Sequence, residues 1–199
     1  MEKSFLEAVK ARRSFYAISK ESPISDEQIE KIISEAVLHA PSSFHSQSAR
    51  VVVLFGGEHD KLWDMVKSTL QKIVPPDNFA PTEAKINSFR AGYGSALFFE
   101  DQAVVQNLQN KFPSYKDNFP LWSLQSSGML QFIIWTALEN EGLGASLQHY
   151  NPLIDQEVKK TWGLPDAWLL LSQMPFGQPT AAPGAKQFAP LEERLKVYR

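Results

Sequence analysis

Apolar positions along the chain switch between helical and strand periodicity, and the switches mark its elements. Residues 4–12 place Phe5, Leu6, Ala8 and Val9 on one face and predict a short helix, with Arg12 and Arg13 near its C-terminal end. Ser25 with Gln28 three positions on is a capping-box pattern. Behind it Ile29, Ile32, Ile33, Ala36 and Val37 keep helical spacing until Pro41 stops the helix. A polar loop, residues 41–47, leads into the β-branched run from Val51 to Phe55, a buried strand stopped by Gly56 and Gly57.

A helix is expected from about Asp60 to Ile73, a proline-rich loop at Pro75 and Pro76, a short helix over 82–90 and a second strand over 96–99. Asp101 can cap a helix running to about Lys111, and residues 112–120 read as turn. From about Leu121 to Asn140 a long helix carries Trp122, Leu124, Met129, Leu130, Phe132, Ile133, Ile134, Trp135 and Leu138. A helix apolar on nearly all sides must be covered on nearly all sides, at the centre of a domain or across a subunit interface. A short strand at 145–147, a helix near 153–161 and a strand at 168–174 complete the core. Residues 175–199 are rich in proline and glycine and read as an extended arm. The order of elements predicts one α+β domain over residues 1–199.

Composition narrows the function classes. The chain has 199 residues, 43% hydrophobic and 21% charged, with a net charge of −2, so nothing draws it toward nucleic acid or an anionic membrane. It has no cysteine, which removes disulfides, thiolate metal sites and cysteine nucleophiles. The stretch from Met1 to Phe5 leads into an amphipathic segment without an apolar leader core. No apolar run approaches the roughly 18 residues that span a bilayer. A cytoplasmic location is expected. The 13 Phe and 5 Trp suit a planar-ligand site or a large interface.

Candidate chemistry is scattered. Arg12, Arg13 and Ser14 bring two guanidinium forks and a hydroxyl suited to a phosphate, though cations at a helix C-terminus also complement its dipole. In the loop 41–47, Ser42, Ser43, Ser46, His45 and Gln47 offer donors and acceptors for the edge of a heteroaromatic ring, or simply make turns. Glu141, Gly142, Leu143 and Gly144 follow the long helix; the glycines either cap it or let backbone N–H groups approach a flat ligand. Lys186 lies in the arm before Pro190, Leu191, Glu192 and Glu193. The four histidines are dispersed without ligand spacing, so no metal is expected.

Taken in order, these segments resemble the nitroreductase family over nearly the whole chain. The matching pieces are Arg12-Arg13-Ser14 after the first helix and Ala40, Pro41, Ser42 and Ser43 with Ser46 and Gln47 before the first strand. Glu141 to Gly144 after the long helix and a lysine before the Pro190 to Glu193 segment complete them. Residues 92–101 (GYGSALFFED) and 144–152 (GASLQHYNP) are similar to the fatty-acid-repression-mutant branch. The resemblance implies a central, mostly antiparallel sheet flanked by helices, in a homodimer with a long interface helix and an exchanged C-terminal arm. It implies FMN at the subunit interface and NAD(P)H as electron donor, with hydride passing through flavin N5 to nitroaromatic or quinone-like acceptors in a ping-pong cycle.

By the same resemblance Arg12, Arg13 and Ser14 hold the ribityl-phosphate end and Lys186 closes on the phosphate. Ser42 and Ser43 line the isoalloxazine with Gln47 nearby, and the backbone of Glu141, Gly142, Leu143 and Gly144 faces the N5 side. No side chain has to act as catalyst, since the cofactor carries the chemistry; His45 or Tyr16 can supply a proton, and Trp122 a stacking wall. The chain departs from the family's pattern at Tyr16, His45 and Phe188, where many members carry a basic residue, an asparagine and an arginine. The cation count around FMN is thereby reduced, with Lys85 as the compensating candidate. A different class fits the same pocket: a non-catalytic flavin- or ligand-sensing regulatory dimer.

Overall fold

The computed structural model describes residues 3–199; Met1 and Glu2, part of the stretch read for a leader, lie outside them. Helix α1 (Phe5–Ala11) is started by a capping box that the sequence reading placed only at Ser25. The Ser4 hydroxyl accepts from the Glu7 N–H, and the Glu7 carboxylate accepts from the Ser4 N–H at 2.8 Å. Ser25 does cap α2 (Asp26–His39), accepting from the Gln28 N–H at 3.3 Å, and the helix stops at Ala40 because Pro41 disfavours helical geometry before it.

The sheet is built from β1 (Ile18–Ser19), β2 (Ala49–Phe55), β3 (Gly94–Asp101), β4 (Gly144–Ala145) and β5 (Trp168–Pro179). Its order is β1-β5-β3-β2, with β4 also on β5, and all these pairings are antiparallel. Alternation along β3 sorts its side chains onto two cores. Ala96 and Phe98 pack with Ile29, Ile33, Leu130, Ile134 and Leu138 of α2 and α6 (Phe119–Asn140). Leu97 and Phe99 pack on the other side with Trp63, Val66, Phe89 and Val158 of α3 (Gly56–Gln71), α4 (Phe79–Arg90) and α7 (Asp155–Trp162). The α5 helix (Gln102–Lys111) is capped by Asp101, and α8 (Leu191–Arg194) is a single turn in the C-terminal segment.

The sequence reading needs correction in several places. β5 runs through Pro175 to Pro179, where an unpacked arm was expected to have begun. Pro175 and Phe176 pair with Ser95 and Gly94, and Gly177 pairs with Gly144. Gly177 is required by crowding, because a Cβ there would stand 2.2 Å from the Ser19 carbonyl oxygen. Helix α3 starts at Gly56, so the glycines that end β2 also form the first helical turn.

The long helix α6 is covered on one side only within the subunit. Its inward residues include Ser123, Ser126 and Ser127 beside Leu130, Ile134 and Leu138, while Leu121, Leu124, Met129 and Phe132 are exposed.

Candidate cofactor site

Where α1 ends, the backbone turns into residues 12–17 and lies against β4. The Phe15 N–H donates to the Ala145 carbonyl at 3.0 Å, and Ser14 bridges Ala145 in parallel. Gly144 permits this approach: a Cβ would stand 2.8 Å from Phe15 Cγ and 2.9 Å from Pro179 Cγ. The structure therefore brings the Arg12 segment and the turn after α6 together. Gly142 takes φ of 88°, and its N–H donates to the Glu139 carbonyl at 2.9 Å, so it caps the helix. Glu141 is half-buried and Gly142 exposed, whereas the Leu143 side chain belongs to the core, leaving only its backbone for any ligand.

Residues 12–17 and 181–186 enclose a cavity of about 580 Å³. Arg12, Arg13, Ser14, Tyr16 and Lys186 all line it. Arg13 ties its walls together, donating from Nη2 to the Gly184 carbonyl at 2.6 Å. The Arg12 guanidinium lies over the Trp135 ring, and burial, with Arg13 beside it, lowers its proton affinity, while Glu139 acts the other way. Its Nε is buried without a partner. Lys3 donates to the Glu139 carboxylate at 2.6 Å, which engages the nearest acid.

Tyr16 packs its ring 6.0 Å from Phe89 of α4. Behind it the Tyr150 hydroxyl is pushed up to about 12, first by burial and then by Tyr16, so it stays protonated. Lys85 is exposed one turn before Phe89 on α4 and does not line this cavity. Phe188 is exposed in the C-terminal segment.

The serine loop sits elsewhere. A cavity of about 710 Å³ between α2, β2 and α6 is lined by Ser42, Gln47, Arg50, Ser126, Leu130 and others, and by none of the residues from 12 to 17. Phe44, His45 and Gln47 hold left-handed backbone angles of 56°, 51° and 49°, a costly conformation for non-glycine residues. Local hydrogen bonds fix it: the Ser42 hydroxyl accepts from the Gln47 N–H at 3.1 Å, and Arg50 Nη1 donates to the Gln47 carbonyl at 2.7 Å. Ser43 is half-buried at the start of this turn, and His45 is exposed.

Phe44 reaches into an aromatic cluster. Its ring lies 4.8 Å from Phe112, 5.4 Å from Phe119, and 6.3 Å from Trp122 at a nearly parallel 21°. Trp122 thus joins the serine loop to the start of α6.

This combination of sheet order, helix α6 and paired loops is shared with known proteins. The family model described as the nitroreductase family matches residues 9–178. The chain belongs to the nitroreductase family. As a member it is an oxidoreductase of the nitroreductase type. Nitroreductase FRM2 of Saccharomyces cerevisiae is 34% identical over 198 residues, covering 98% of this chain and 97% of FRM2. Nitroreductase CinD from Lactococcus lactis, in complex with chloramphenicol, superposes with a TM-score of 0.90 at 44% identity, covering 98% of this chain and 100% of CinD. A nitroreductase from Desulfovibrio desulfuricans in complex with FMN shares the fold at a TM-score of 0.70 and 21% identity, over 100% of this chain and 99% of that one.

One residue of the site's surroundings escaped the sequence reading. Glu100 is fully buried directly behind the serine loop. Its signal is a carboxylate directly after the apolar run 96–99, in a strand that continues to Asp101.

Proposed function

We propose that this nitroreductase-family chain is an FMN-dependent NAD(P)H oxidoreductase acting as a homodimer on nitroaromatic or quinone-like acceptors. The observation that carries the reading is the cavity that collects Arg12, Arg13, Ser14 and Lys186, with the Arg12 Nε buried and unpartnered. Several cations around one cavity, with an unused donor, fit a phosphate ester. FMN also occurs in a fold relative, the Desulfovibrio desulfuricans protein.

In this reading Arg12, Arg13, Ser14 and Lys186 hold the phosphate end, and Ser42, Ser43, His45 and Gln47 offer donors and acceptors to the ring edge. The backbone of Glu141, Gly142, Leu143 and Gly144 forms a wall without bulky side chains. Trp122 and Phe44 exclude water and present a flat surface to an aromatic acceptor. Bound FMN supplies the redox chemistry, taking reducing equivalents from NAD(P)H and passing them to the acceptor in alternating half-reactions.

Exposed apolar surface and the separation of the two half-sites support the dimer. Leu124, Met129 and Phe132 of α6 join Phe5, Leu6, Val37 and Leu38 among the exposed large hydrophobics. Within one chain the serine loop and the Arg12 cavity share no lining residue, and in the proposed dimer a second copy would supply the missing half to each. Strand β2 ends the sheet with an open edge, and Leu191, Leu195, Val197 and Tyr198 are exposed in the C-terminal segment. An arm exchanged between subunits would cover both. Among the described residues no helix is long and apolar enough to cross a membrane; a cytoplasmic site of action is part of the proposal.

Purified protein should be yellow, with the visible bands of oxidised flavin, and should oxidise NADH or NADPH when 4-nitrophenol or a quinone is supplied. A colourless protein that takes up no FMN rejects the cofactor. A flavin-loaded protein with no turnover for either donor leaves a flavin sensor instead.

A further inference from the structure

Residues 181–186 form one wall of the cavity that Arg12 and Arg13 line, and they bring Lys186 to it. Little in this strap can hold itself in place. Its inner end is fixed just past β5, where the Thr180 N–H donates to the Ala17 carbonyl at 2.9 Å. Beyond it come Ala181, Ala182, Pro183, Gly184 and Ala185, which carry no polar side chain, and Pro183 has no N–H to donate. All but Pro183 are exposed. Among the described residues, positions 181–189 take part in a single hydrogen bond: the Gly184 carbonyl accepts from Arg13 Nη2 at 2.6 Å.

Arg13 is a firm post for that contact. It is half-buried, and the chain is held on both sides of it. The Arg12 N–H donates to the Ala8 carbonyl at 2.8 Å, and Ser14 and Phe15 lie on Ala145 of β4. Chain length gives the contact its leverage. Lys186 is six residues from Thr180 and two from Gly184. Tied at Thr180 alone it can range over about 20 Å, and tied at Gly184 over about 7 Å.

The two neighbouring arginines therefore differ. Arg12 rests its guanidinium on the Trp135 ring and keeps a buried Nε without a partner beside the cavity. Arg13 spends a donor on the opposite wall. We propose that Arg13 is a positioning residue, a latch that holds the strap across the cavity so that Lys186 meets the phosphate of the cofactor. In the proposed dimer the same contact fixes where the C-terminal arm leaves its own chain. This role rests on reading the cavity as the FMN phosphate site.

The test is a double-mutant cycle on FMN affinity in the full-length protein, read by quenching of flavin fluorescence, with Arg13→Met, Lys186→Met and the two together. Each single substitution should weaken FMN binding roughly tenfold, the worth of one charge-assisted hydrogen bond. Because Arg13 works through Lys186, the double variant should stay within about threefold of either single one, whereas two independent phosphate contacts would multiply to roughly a hundredfold. Riboflavin, which has the same ring without the phosphate, should bind all four proteins alike. In flavin-free protein, trypsin should cut after Lys186 about fivefold faster in Arg13→Met than in the wild type, the worth of one lost hydrogen bond.

Multiplied losses in the cycle, or equal cutting of the two proteins, overturn the latch and leave the cofactor assignment standing. Riboflavin binding weakened by Arg13→Met as much as FMN binding also overturns it, since the cavity as a whole has then collapsed. A wild type that binds no FMN overturns both.

Discussion

The guanidinium of Arg12 lies 4.3 Å from the centroid of the Trp135 ring. The indole of α6 thereby holds a cation from the end of α1 at the wall of the cavity, in an orientation that a flexible surface arginine would not keep. Arg12→Ala should weaken FMN binding roughly 10- to 100-fold, the worth of a charge-assisted hydrogen bond. Trp135→Leu, which removes only the platform, should cost about two- to fivefold. Fluorescence titration of both, with Lys186→Ala alongside, checks the assignment; unchanged affinity in Arg12→Ala and Lys186→Ala rejects the phosphate site.

The two glycines on either side of the β4–β5 pairing should differ in tolerance. At Gly177 the obstacle is backbone, the Ser19 carbonyl at 2.2 Å and the Tyr93 nitrogen at 2.9 Å. At Gly144 it is Phe15 Cβ and Cγ and the Pro179 ring, which can move only together with their own backbone. Gly177→Ala should lose about 3 kcal/mol or more in urea unfolding and Gly144→Ala about 1–2. Gly144→Ala should also weaken FMN binding, since it pushes residues 12–17 off β4.

His59 sets an acid limit on stability. Burial holds its folded value down to about 4, against an ordinary 6.5, while its ring meets the Ser95 hydroxyl at 2.9 Å and the Arg90 carbonyl at 3.2 Å. The folded state thus binds this proton more weakly than the unfolded chain. The associated stability is fully present above pH 6.5 and is lost as pH falls toward 4, amounting to about 3 kcal/mol. Chemical denaturation at pH 7 and pH 4.5 should show this loss in the wild type and a smaller one in His59→Gln.

Leu124 and Phe132 test the proposed subunit contact. Both are exposed on α6, at 48% and 37%. Leu124→Asp and Phe132→Asp should shift the protein from dimer to monomer in size-exclusion chromatography with light scattering, and should lose FMN along with the dimer. A dimer that survives both substitutions places the interface elsewhere.

Much of this architecture was legible because local chemistry and tertiary context agree. The Ser25 cap, the stop at Pro41, the β-branched strand from Val51 and the Asp101 cap each follow from what one residue does to its neighbours. The misreadings arose where long-range packing decides. Proline and glycine from 175 to 179 suggest an arm when read locally, yet they sit where three neighbouring strands crowd β5. Arg12, Arg13 and Ser14 stood out because charge in a short segment is visible in a sequence, whereas Lys186 was singled out only through the family resemblance. The burial of Glu100 was hidden, since it comes from pairing with Ala49 on a strand distant in sequence. The left-handed turn at Phe44, His45 and Gln47 was also hidden, because none of these is a glycine.

Helix α6 keeps the hydroxyls of Ser123, Ser126 and Ser127 inside and leaves Leu121, Leu124, Met129 and Phe132 outside. In the proposed dimer such a helix makes folding answer to mass action. A lone chain would leave that face without its cover, so diluting the proposed dimer should lower its melting temperature.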